Sequence, residues 1–109
     1  MAKGNAARAL KYFEACLRKS GLRISKVALF GSRARRTATR LSDIDVVIVS
    51  GDFEGKDTFE RAQLTKAAEV NTIRKFMVPM DILTMTPEEW ANGQSPFAQF
   101  AKDAEVVPG

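Results

Sequence analysis

Residue patterning predicts a domain of the α/β or α+β class, and three observations carry that prediction. An amphipathic stripe opens the chain, two apolar β-rich runs follow it, and a long helical pattern separates these from a third β-rich run. At 109 residues and 45% hydrophobic content, residues 1–109 suit a single domain with one core.

The elements follow in order. Ala6, Leu10, Phe13 and Leu17 are spaced by four, three and four, which predicts a helix over residues 5–20 with Gly21 as its stop. Residues 24–30 (ISKVALF) read as a strand that runs into a tight turn at Gly31-Ser32. The polar stretch 33–40 suits a short helix or a loop. Residues 43–50 (DIDVVIVS) are apolar on both alternating faces from Ile44 onward, as in a strand covered on both sides. Thr58–Phe76 reads as a long helix with Phe59, Ala62, Ala68 and Ile73 among its buried positions, and with Asp57 acceptable as its cap. In the β-rich run 77–85, Pro79 suits the first residues of a strand or a sheet edge. Thr86-Pro87-Glu88-Glu89 has the form of an N-cap, a proline at the first helical position and acids in the first turn. Ser95-Pro96 repeats the device before residues 97–103, and Val106 and Val107 suit a final short strand.

Composition narrows the chemistry. With one cysteine, Cys16, and no histidine, an internal disulfide, the usual zinc ligand sets and any histidine-based triad are excluded. Cys16 falls on the first helix and reads as a small packed residue. No stretch approaches the ~20 apolar residues of a membrane helix, and the first twenty residues lack the apolar run of a secretory signal, so a cytoplasmic protein is expected. The 17 Lys and Arg against 13 Asp and Glu give a net +4, which favours polyanions such as nucleotides or RNA but is equally explained by a solvated surface.

Reactive groups must then come from carboxylates and hydroxyls. Asp43 and Asp45 stand two residues apart on a predicted strand and so share a face, about 7 Å apart along the backbone. Hard divalent cations, magnesium or manganese, take such oxygen ligands. Asp81 lies in an otherwise apolar run, where a charge requires an edge position, a partner or an ion. Structural pairing explains three acids as well as metal binding does. A strand ending in Gly31-Ser32 adds backbone N–H groups able to take a phosphate, with the Ser32 hydroxyl able either to join them or to cap a short helix after the turn.

Gly31-Ser32, ten residues and then Asp43-Ile44-Asp45 resembles the signature of the DNA polymerase beta nucleotidyltransferase superfamily. Ala34-Arg35 and Ser42 extend the likeness to its minimal nucleotidyltransferase branch. The resemblance implies a small mixed β-sheet flanked by helices, with ATP or another nucleoside triphosphate as substrate. It implies that Gly31, Ser32, Arg35 and Ser42 contact the nucleotide, that Asp43 and Asp45 bind both metal ions, and that Asp81 completes the catalytic metal and helps activate an acceptor hydroxyl. The chain departs from the pattern at Arg36, where the family often carries glycine.

Arg33, Arg35, Arg36 and Arg40 crowd the proposed phosphate site and could draw in nucleotide or an RNA acceptor, or form a solvated turn. Trp90, Phe97 and Phe100 read as core or interface anchors. The acceptor site is expected from a partner or from another subunit of a homo-oligomer. Members of the resembled branch pair with a helical HEPN protein as a toxin–antitoxin couple, the nucleotidyltransferase adding AMP to its partner. The alternative is a non-catalytic module that neutralises a partner or senses nucleotide by contact.

Overall fold

A computed structural model describes residues 2–30, 44–93 and 105–106. The order is α1 (Ala2–Lys19), β1 (Lys26–Leu29), β2 (Ile44–Val49), a 3-10 turn (Gly51–Phe53), α2 (Thr58–Phe76), β3 (Met80–Met85), α3 (Pro87–Asn92) and β4 (Glu105–Val106). The strands form one sheet in the order β3-β2-β1-β4, with β1 antiparallel to β2 and β4, and β2 parallel to β3. The sheet is therefore mixed, and the parallel pair is joined through α2, as a crossover connection requires.

Period-two alternation in β2 splits the core into two layers. Ile44, Val46 and Ile48 point to one face and pack with Leu10, Phe13 and Leu17 of α1, with Phe53 and with Ala68 of α2. Val47 and Val49 point to the other, with Ala28, Phe30, Met85 and the partly buried Leu83 and Trp90. The apolar run on both faces thus marks a central strand, as its sequence predicts. Lys75 of α2 lies 4.6 Å from the centroid of Tyr12 in α1, whose ring meets Phe76 edge-on at 5.7 Å, which ties the two helices together.

The ends of α2 obey local chemistry. Asp57 is the N-cap and forms a capping box with Glu60. Met77 closes the helix in the left-handed region at φ 55°, so it is a cap and β3 begins only at Met80. Phe59 and Ala62, expected in the core, are exposed, Phe59 by 69%. The buried line of α2 runs instead through Thr65, Ala68 and Thr72, because short side chains let the helix approach the sheet and two hydroxyls bond back to backbone carbonyls. No described helix is long and apolar enough to cross a membrane.

Arg61 fastens α2 to α3. Its Nη1 donates to Glu89 Oε1 at 2.8 Å and its Nε to the Lys56 carbonyl at 2.8 Å, while Glu89 Oε1 also accepts from the Thr86 amide. Burial pushes the Glu89 carboxyl up, but the Arg61 and Thr86 contacts outweigh it and hold the group below the usual glutamate range. Glu89→Gln is therefore expected to cost about 1 kcal/mol at neutral pH. Because the folded-state value is the lower one, this contribution is complete above the unfolded value of about 4.3 and fades as pH falls through the folded value. Urea denaturation of both proteins across pH 7 to 3 checks it, with the wild-type advantage shrinking in acid.

Candidate active site

The N-terminal ends of β2 and β3 bring two of the predicted acids together. Asp45 and Asp81 are Cα partners in the parallel register, so both side chains leave the same sheet face from strands ~4.8 Å apart. That face is the one opposite α1 and α2, since Asp45 alternates with Ile44 and Val46 and shares its side with Val47 and Val49. The row continues just past the end of β1, where the Phe30 amide donates to the Asp45 carbonyl at 2.9 Å. Phe30 is buried in the same layer, so an apolar residue flanks the carboxylates on one side.

Environment separates the two acids. Asp45 is half-buried and engaged in an interaction, whereas Asp81 is exposed at the outer strand of the sheet. The edge position answers the objection raised by a charge inside an apolar run: Asp81 is exposed on the outer strand, while Met80 before it packs in the layer under the helices and Met85 in the layer on the other face. Two carboxylates in register repel one another and supply hard oxygen donors at a separation a divalent cation can bridge. The donor set fits magnesium or manganese.

Asp43, Gly31, Ser32, Arg35 and Ser42 lie outside the described residues, as do Arg33, Arg36, Arg40, Phe97 and Phe100. With Asp43 outside them, no group of three potential metal ligands occurs among the described residues. Gly31-Ser32 directly follows Phe30, the residue bonded to Asp45, and Asp43 stands one residue before β2. Trp90 is a partly buried packing residue of the second core layer, and Cys16 a partly buried one of the first.

Sequence reasoning passed over a groove beside Asp81. It holds about 240 Å³ and is lined by Thr58, Ala62, Thr65 and Glu69 of α2 and by residues 80–84 of β3. The signal was present in the spacing of those four α2 residues by four, three and four, which places them on one side of the helix.

Comparison with known proteins bears on the family and the fold. The family profile of the nucleotidyltransferase domain matches residues 10–105. The fold is similar to the crystal structure of a proposed nucleotidyltransferase from Sulfolobus solfataricus, with a TM-score of 0.68 at 23% identity over 96% of this chain and 84% of the other. A proposed minimal nucleotidyltransferase aligns with a TM-score of 0.53 at 24% identity over 94% of this chain and 90% of that one. At such identities the likeness shows the fold. No curated protein matches the chain. The profile spans nearly the whole sequence and the sheet carries two acids in register at the expected strands, and the chain belongs to the nucleotidyltransferase domain family.

Proposed function

We propose that this protein transfers a nucleoside monophosphate, AMP from ATP, to an acceptor hydroxyl, with Asp43, Asp45 and Asp81 holding magnesium or manganese. The observation that supports it most is the Asp45–Asp81 pair in register on one sheet face of a nucleotidyltransferase domain. Gly31 would let the backbone approach the triphosphate, with the Ser32 hydroxyl, Ser42 and Arg35 contacting its oxygens. The hydroxyl oxygen bonds to the α-phosphorus, the bond to the bridging oxygen breaks in line, and pyrophosphate leaves. The hydroxyl proton departs toward the Asp81 carboxylate. Bound cations would supply charge neutralisation at the α-phosphate and at the departing pyrophosphate.

The acceptor in this reading is a helical HEPN protein, the chain serving as antitoxin of the pair. The test is mass spectrometry of that partner after incubation with this protein, ATP and Mg²⁺, where one added AMP is expected. The reading fails if the protein neither binds nucleotide with Mg²⁺ nor releases pyrophosphate with any acceptor.

A further inference from the structure

The groove beside Asp81 has one wall made of backbone. In a parallel ladder the N–H and C=O of a residue point to the same side, and successive residues alternate. The Ile44 amide donates to the Pro79 carbonyl and the Ser50 amide to the Met85 carbonyl, each at 2.9 Å. Residues 79, 81, 83 and 85 therefore turn their backbone groups toward β2, and Met80, Ile82 and Thr84 turn theirs outward. The contact from Arg61 Nη1 to the Thr84 carbonyl at 3.4 Å, on the α2 side, agrees with that parity. Arg61 and Pro79 bound the stretch, and no described strand pairs with it.

Beyond the groove, α2 leaves an apolar flank. Phe59, Val70 and Met77 are exposed by 69%, 37% and 80%. Phe59 and Val70, spaced by eleven residues, fall within about 20° of one another around the helix, and Met77 is its C-cap. They lie about a quarter turn around the helix from the groove-lining stripe and away from Lys75, which meets α1.

We infer that this edge is where the acceptor docks, and that the acceptor is a polypeptide segment laid against β3 as an added strand. The inference rests on the nucleotidyltransferase reading. Outward N–H and C=O groups repeating every second residue match an extended main chain. Among the described residues the groove is lined by the acid Glu69, with Asp81 at its rim, and by no lysine or arginine, which disfavours a phosphodiester backbone and favours a segment with a basic residue. A second copy of this chain is disfavoured, because β3 paired with itself about Ile82 would bring two acid rows, each with its nucleotide, onto one face about 8 Å apart. In an added strand, the residue beside Asp81 extends the row of Phe30, Asp45 and Asp81. A serine, threonine or tyrosine there would place its hydroxyl at the carboxylates.

The test needs no turnover. The full chain, labelled with ¹⁵N, is titrated with the peptide acetyl-Lys-Val-Thr-Val-Ser-Val-Lys-amide, with the same peptide N-methylated at alternate residues, and with an octa-uridine RNA. Expected are shifts and at least tenfold slower hydrogen exchange at the Ile82 and Thr84 amides with the unmodified peptide alone. The Glu69→Lys variant should bind it at least fivefold more weakly. Equal binding of the N-methylated peptide, protection by RNA instead, or shifts confined to α2 would each overturn the inference. Because the readout is main-chain protection, failure of transfer chemistry leaves this result intact, and loss of protection leaves the chemistry standing.

Discussion

Converting Asp45 or Asp81 to asparagine is expected to lower nucleotidyl transfer by about two to four powers of ten, since a bound cation contributes several kcal/mol to transition-state charge stabilisation. Asparagine keeps the shape and one oxygen but forfeits the charge that holds a divalent cation. Stability without metal should move the other way for Asp81. It is exposed, and like charges directly opposite on neighbouring strands destabilise by about 0.2–1 kcal/mol. Asp81→Asn should thus raise the melting temperature of the metal-free protein and abolish the further rise on adding Mg²⁺ with ATP. Thermal denaturation in the two conditions, beside a pyrophosphate-release assay, separates charge repulsion from ligand binding. Retained transfer in Asp81→Asn would remove this carboxylate from the site.

Periodicity made the layout legible where it is strict. Residues 46–49 are apolar on both faces, and β2 is an inner strand buried on both faces beyond Asp45. Thr86 with Pro87 and Glu89 encodes its own cap, and the helix starts there. The pairing of Asp45 with Asp81 is not legible in the sequence, because register across a crossover is set by tertiary packing. Reasoning failed on α2 for an identifiable reason. Phe59 and Ala62 look like core residues by type, yet the face that packs is chosen by how closely a helix can approach the sheet, and threonines at 65 and 72 win that place. Met77 misled in the same way, since nothing in its side chain announces a left-handed cap. Five of the seven proposed site residues, Gly31, Ser32, Arg35, Ser42 and Asp43, lie outside the described residues and rest on the sequence.

Phe53→Ala should be among the costliest truncations of the fold, at about 3–5 kcal/mol. Phe53 is fully buried at the turn after β2, where it packs against the layer under α1. Its ring also lies 5.9 Å from the Arg61 guanidinium carbon, so its loss leaves a cavity and withdraws a support from the residue that ties α2 to Glu89. Against a total stability of about 5–15 kcal/mol for a domain, such a loss leaves a marginal protein. Phe59→Ala supplies the contrast, because a ring 69% exposed on α2 contributes within about 0.5 kcal/mol. Urea midpoints of the two variants test the assignment, and comparable losses would mean that the helix packs on its other side. The turn adjoins the Val49 end of β2 while Asp45 stands at the opposite end. Nucleotide affinity per folded molecule should therefore survive Phe53→Ala, which separates what holds this fold from what its carboxylates do.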